Sequence, residues 1–299
     1  DLRDPALRRI LSLYMPIALG LVVSNLQIAI DRRLASSTGE NSIAWMANAT
    51  TLVQLPHGLV AVAISLAVLP TLSRFSARGD EDSFRSTLGQ GLRLVLALIV
   101  PATVGLLVLG QPIISLLFQH GKFTAHDTFW VSWALRYYLL GLIFAGIDWP
   151  LNYAFYARQD TLTPALVGVL SVIVYLVVAL SLLGPLGMLG LVLADSAKHF
   201  CHAGAMLILP RRRFGGLGGL GLGPAGSKAI LAATAMGAAI LLALAGARQL
   251  WPGGGLGSRF LAVGLPGLLG AMVYLLAARL LKLRELMDLG DQLRLRLRG

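Results

Sequence analysis

The sequence predicts an all-α, polytopic membrane protein with about eight transmembrane helices. Three observations carry that prediction. Hydrophobic residues make up 56% of the chain and charged residues 13%, with a mean hydropathy of +0.75, whereas a soluble domain is about one quarter charged. The apolar residues gather into eight runs of roughly 20 residues or more, the length a helix needs to cross a bilayer. The 34 glycines suit helices that approach closely or bend in lipid.

The runs fall at 10–30, 43–72, 91–118, 129–157, 162–183, 186–209, 228–250 and 260–281. DLRDPALRR precedes the first, and Pro5 suits the first turn of a helix. The first run bends at Pro16 and carries Ser24, Asn25 and Gln27 before Asp31-Arg32-Arg33. The second begins with polar residues and contains Pro56 and Pro70, either of which bends a helix by removing an internal hydrogen bond. SRFSARGDEDSFR then reads as a charged loop of mixed sign. The third run holds Pro101 and Pro112. In the turn QHGKFTAHDT, Gly121 permits a tight bend, and Thr124 and Asp127 are caps for the fourth run. That run carries Arg136, Asp148 and Pro150. Only GPLG separates the fifth from the sixth, which predicts a tight antiparallel hairpin. The sixth contains Asp195, Lys198, His199 and His202.

Residues 1–210 thus form a six-span lobe and 211–227 a glycine-rich cytoplasmic linker. Residues 228–282 form two additional spans, and 283–299 a basic amphipathic tail suited to the membrane surface. Counted by connection, seventeen Lys and Arg side chains fall on one side of the membrane and five on the other. Cytoplasmic loops collect positive charge. Both termini are therefore expected in the cytoplasm and QHGKFTAHDT outside.

Composition also sets aside several functions. The net charge of +11 lies mostly between spans, where topology and contact with membrane lipids explain it, so no nucleic-acid partner is expected. The single cysteine, Cys201, excludes an internal disulfide, and its neighbours His199 and His202 make a poor metal set. No Ser/His/Asp arrangement or HExxH pattern is present, and the glycine-rich stretch lacks the GK[ST] of a phosphate loop. No enzyme activity, catalytic residue, cofactor or metal is expected. The chain starts at Asp1, not Met, without a signal peptide, and reads as a portion of a longer protein or a truncated paralogue.

Trp45 to Arg74 is the most informative stretch. It is long enough to span and uncharged until Arg74, yet Asn48, Thr50, Thr51, Gln54 and His57 crowd its first half. Polar groups at membrane depth face a bundle interior or a wet cavity. This predicts a pathway-lining helix of a transporter.

Four segments resemble the MurJ/MviN family of lipid II flippases, within the superfamily of multidrug and oligosaccharidyl-lipid exporters. They are DPALRRILSLYMPIALG; IDRRLASSTGENSIAWMANA; QLPHGLVAVAISLAVLPTLSR; and LLFQHGKFTAHDT with the following ALRYYLLGL, FYARQDTLTP and GPLGMLGL. The resemblance implies the second six-helix lobe and extra helix pair of a fourteen-helix protein whose first lobe lies upstream. It implies transport of a lipid-linked peptidoglycan precursor by alternating access, in the bacterial cytoplasmic membrane, with cell-wall synthesis proteins as further partners. Two other readings stay open: export of another lipid-linked glycan or a drug, and a non-transporting scaffold of the cell-wall machinery.

The resemblance also suggests site residues. The family commonly places a cavity arginine in an Ala-x-Arg-Leu pattern, which here reads Ala49-Thr50-Thr51-Leu52. Thr51 can hydrogen-bond a phosphate oxygen without neutralising it, or bond back to its own helix. Arg32 is then the cationic candidate for the diphosphate, the alternative being an interfacial pair with Asp31. Asn25, Asn48 and Gln54 are candidates to line the cavity. Asp31 and Asp195 are candidates for coupling to a monovalent cation, since some relatives bind one among the equivalents of spans one, five and six. Asp148 of the fourth span is a further candidate, because a carboxylate at membrane depth is functional by default. Asp195 also reads as a local pair with Lys198, and Asp148 has no partner evident from sequence.

Overall fold

In the computed structural model, which describes residues 5–209, 219–250, 255–283 and 285–287, the described residues are helical throughout, joined by short turns. The helices are α1 (Pro5–Ser36), α2 (Ser42–Pro56), α3 (Ala63–Arg78), α4 (Glu81–Phe118), α5 (Ala125–Ala157), α6 (Leu162–Leu186), α7 (Met188–Ile208), α8 (Leu222–Leu250) and α9 (Leu256–Leu280). A π-helical turn, His57–Val62, joins α2 to α3 without a break in the chain's helical path. It begins directly after Pro56, whose missing N–H frees a carbonyl of the preceding turn.

Seven of these segments are long and apolar enough to cross a membrane, with α2, the π-turn and α3 counting as one. The eighth expected span, α7, falls short because it holds Asp195, Lys198, His199 and His202. At 21 residues it still rises about 31 Å, enough for the bilayer core. It lies along α6 and α5, so its polar residues face neighbouring helices or a polar cavity.

α5 is the central helix, packed against α2, the π-turn, α3, α4 and α7, while α1 packs mainly on α6. Two apolar cores result. Met46, Leu52, Leu135, Tyr175 and Leu191 fill one, and Phe84, Leu88, Leu151, Phe155 and Met206 fill the other. α8 and α9 pair with each other and lie on α4, around Leu96, Val100, Met236, Ile240 and Tyr274.

Connections are tighter than the sequence suggests. The segment SRFSARGDEDSFR is not a loop: α3 runs to Arg78 and α4 starts at Glu81. Gly79 takes φ +68°, its N–H bonding Ser76 and that of Asp80 bonding Phe75, which closes α3 in a left-handed cap. The Asp80 side chain then accepts from the Ser83 N–H at 3.0 Å and opens α4. At the other end, Gly121 has φ +60°, and Thr124 with Asp127 forms a reciprocal capping box at the start of α5. The α6–α7 hairpin closes at Gly187, φ +54°.

α8 begins at Leu222, inside the stretch expected as linker, with Pro224 in its first turn where no N–H is needed. Linker residues 211–218 and tail residues 284 and 288–299 lie outside the described residues. Glu285 pairs with Arg93 of α4 at 2.5 Å, and Arg93 also donates to the Leu220 carbonyl.

Candidate functional site: a polar cavity on the α1–α2–α7 face

A cavity of about 780 Å³ opens between α1, α2, α5 and α7. Its position follows from the helix packing. α1 leans on α6 and touches α2 and α7 only lightly, which leaves a cleft where their polar faces meet. Arg32, Thr51, Gln54, Asp31 and Asp195 all line it, together with Lys198 and Tyr138.

Arg32 is exposed at the cavity, and no ion pair engages it among the described residues. Asp31 accepts a hydrogen bond at Oδ1 from the Tyr175 hydroxyl. Tyr175 is fully buried in α6, so this bond ties α1 to α6. Thr51 donates to the Ala47 carbonyl at 3.0 Å, and Thr50 to that of Met46 at 2.7 Å. Each hydroxyl proton thus returns to its own helix, and an oxygen lone pair is what remains for the cavity.

Asp195 and Lys198 form the local pair anticipated by their spacing, Nζ to Oδ1 at 2.6 Å. Lys198 also reaches buried Gln27 of α1 at 3.5 Å. Asn25 does not line the cavity: it lies on the exposed face of α1 and donates to the Leu21 carbonyl at 2.8 Å. Asn48 is half-buried and likewise absent from the lining. Both residues sit off the helix face that α1 and α2 turn toward α7. Ser171 and Ser181 of α6 bond back to Val167 and Val177.

Asp148 sits away from the cavity, buried between α5 and α7, and finds partners the sequence did not reveal. His202 and His199 of α7 approach it at 3.0 and 3.5 Å. The available signal was spacing: Asp195, His199 and His202 follow one another by four and three residues, so they share one face of an otherwise apolar helix. Among the described residues no three His, Cys, Asp or Glu side chains are gathered to hold a metal ion.

The end of the bundle where α2 and α5 begin carries an aromatic cluster. Trp45 stacks on Trp130 with ring centroids 5.6 Å apart, and its Nε1–H donates to Asp127 Oδ1 at 2.8 Å. The capping carboxylate of α5 therefore also fixes the start of α2, and amphipathic indoles suit the membrane–water boundary.

A bundle of long apolar helices with a charged cavity on one face defines a polytopic membrane protein with a polar site at membrane depth. The more particular assignment rests on the family description "Lipid II flippase MurJ", whose sequence pattern matches residues 1–261; the chain belongs to this family. Among its relatives, the "Probable lipid II flippase MurJ" of Thermotoga maritima is 32% identical over 273 residues, covering 90% of this chain and 52% of the relative. The protein of the same description from Haemophilus influenzae is 35% identical over 177 residues, covering 57% of this chain and 35% of the relative. The chain thus spans about half, or less, of the length of these relatives. The solved structure "Lipid II flippase MurJ, inward closed conformation" superposes with a TM-score of 0.74 at 27% identity, covering 93% of this chain and 55% of that one. An outward-facing multidrug resistance MATE family transporter shares the fold, with a TM-score of 0.58 at 18% identity, covering 94% of this chain and 66% of that one.

Proposed function

We propose that this chain supplies the second lobe and adjoining helix pair of a lipid II flippase. In this reading it moves the lipid-linked peptidoglycan precursor across the bacterial cytoplasmic membrane by alternating access, its lobe rocking against one encoded upstream. The observation that carries the reading is the cavity with Arg32 at its wall, in a chain of this family. A diphosphate needs cations, and Arg offers a planar fork of donors that matches phosphate oxygens. Lys198 is the second cation at the wall, already engaged with Asp195. Thr51 and Gln54 shape the polar floor for the sugars. Asp31, Asp195 and Asp148 are the coupling carboxylates, driven by membrane potential or a cation gradient. Both ends of the chain lie in the cytoplasm, and cell-wall synthesis proteins are its neighbours.

The test is complementation of a flippase-depleted bacterium by the full-length gene. Rescue of growth is expected; failure despite good expression and membrane insertion points to another cargo. Arg32→Ala is expected to lower transport of the lipid-linked precursor by about tenfold to a hundredfold, the value of one charge-assisted hydrogen bond. Unchanged transport in reconstituted vesicles removes Arg32 from the site.

A further inference from the structure

One buried polar group has no task in substrate capture. Asp148 is only 6% exposed and faces two histidines across the α5–α7 seam. His202 Nδ1 lies 3.0 Å from its Oδ1, and His199 Nδ1 lies 3.5 Å from its Oδ2. The other ring nitrogen of His199, Nε2, lies 3.7 Å from Asp195 Oδ2. Asp195 in turn lines the cavity. The four side chains make one continuous path from the cavity into the seam.

Two features of this path call for a proton. A neutral imidazole has one N–H and one lone pair. His199 sits with a carboxylate oxygen near each nitrogen, so in the neutral form one lone pair faces a negative oxygen. Asp148 Oδ1 and His202 Nδ1 are buried and, although 3.0 Å apart, neither makes an aligned hydrogen bond with any protein group. Charge gives the same result. Asp148 and Asp195 carry two negative charges and Lys198 one positive, while Asp31, in reach of Asp195 and Lys198, is offset by Arg32 beside it, so with neutral histidines the group is left at minus one. Buried charge is tolerated when it is paired, and one added proton neutralises the set.

Among the described residues, few other charged or titratable groups stand near the path. His57 of the π-turn is within electrostatic reach of His199, Asp148 and Asp195, and its Nε2 lies 3.3 Å from the Ala145 carbonyl. α1 presents Gln27 to Lys198 and Asp31 to Tyr175. Arg32, beside Asp31, lies at the cavity. α2 has no ionisable side chain, and α6 carries only Tyr175. α3 brings Arg74 and Arg78 only at its C-terminal end. On α4, Arg93 is held by Glu285, and Glu81 by Arg158. On α5 itself, Arg136 lies over Trp133, three turns away.

We propose that Asp148, His199 and His202 bind one proton in the α5–α7 seam, taken from cavity water by way of Asp195. The proton converts a lone pair facing a carboxylate into an N–H donor, and the loaded imidazolium draws α7 onto α5. Release leaves net negative charge in the seam and loosens it. Because α7 carries Asp195 and Lys198 of the cavity wall, loading reshapes the cavity. Proton binding stands on this geometry alone; its coupling to cargo rests on the flippase reading above.

The experiment is nitrogen-15 NMR of histidine-labelled full-length protein in lipid nanodiscs, titrated from about pH 5 to pH 9, the range in which imidazoles change charge. His199 and His202 are expected to titrate together. Asp148→Asn is expected to lower their shared proton affinity about tenfold, a shift of one pH unit in the midpoint. His120 and His126, in the outer turn and the first turn of α5, stay unchanged as internal references. If Asp148→Asn does not fold, His202→Gln gives the same reading through the midpoint of His199. Histidines that stay neutral throughout, or that titrate alike with and without Asp148, overturn the proposal. The readout needs no cargo, so failed lipid II transport with this titration intact removes the flippase reading and leaves the proton site standing. Transport whose pH profile is unaltered by a folded Asp148→Asn protein overturns the coupling.

Discussion

Close helix contact in this protein depends on single hydrogen atoms. A Cβ placed on Gly190 would lie 2.5 Å from the Leu182 carbonyl oxygen and 2.7 Å from its carbon, so the α6–α7 hairpin has no room there for a methyl group. The same holds where α7 meets α5: a Cβ on Gly141 would lie 2.8 Å from the Ser196 Cα, and Ser196 Oγ bonds the Tyr137 carbonyl at 2.6 Å. Small residues let backbones approach in lipid, where apolar area gives no net drive for association. The obstacle at Gly190 is backbone, which cannot rotate away. Gly190→Ala is therefore expected to destabilise the protein by about 1–3 kcal/mol. Gly204→Ala, on the same helix with open space around it, should be neutral or stabilising by up to about 1 kcal/mol, because Ala favours helix. Thermal unfolding of both variants in one detergent decides the matter: an equal or higher midpoint for Gly190→Ala would show that the hairpin can open without cost.

At the scale of elements, spans are easier to read than the corners between them. An apolar run of twenty residues has one physical interpretation in water, and the runs appear as helices. Polar connections are less constrained. SRFSARGDEDSFR has charge in both signs, which reads as loop, yet an i to i+4 ladder runs through most of it because Gly79 and Asp80 suffice to turn the chain. α8 similarly starts among glycines, since Pro224 and the burial of Leu220 outweigh their weak propensity. The Asp80 corner yields a pH prediction. The carboxyl is held below its ordinary value by side-chain and backbone hydrogen bonds from Ser83. A group with a depressed folded-state pKa contributes its stability above the unfolded-state value and loses it as pH falls through the folded one. The first turn of α4 should therefore fray as pH drops below about 4, the ordinary range of Asp. Hydrogen exchange at the Ser83 and Phe84 amides reports this. Asp80→Asn, which caps nearly as well, should remove the pH dependence while leaving the cap; a variant that frays with the same profile would show that Asp80 is not the titrating group.

For the whole molecule, the cavity was half legible. Side chains on helices already marked as polar-sided, Arg32, Asp31, Thr51, Gln54 and Asp195, come to its wall. What pattern alone could not supply was pairing across helices: Tyr175 with Asp31, and the histidines of α7 with Asp148, lie 144, 51 and 54 residues apart along the chain. No local period encodes such distances. Orientation, by contrast, follows from alternation. Successive spans joined by the described corners alternate in direction, so the corners at Gly79 and Arg158 share one side and those at Gly121 and Gly187 share the other. Lys and Arg are concentrated on the first side, which is therefore expected to be cytoplasmic. The expected outcome is that Lys122→Cys, placed in the Gly121 corner of a protein with Cys201 replaced by Ser, reacts with a membrane-impermeant maleimide in intact cells. Arg78→Cys in the same background reacts only after permeabilisation. The reverse pattern would invert the molecule and put Arg32 at the cytoplasmic end of the cavity.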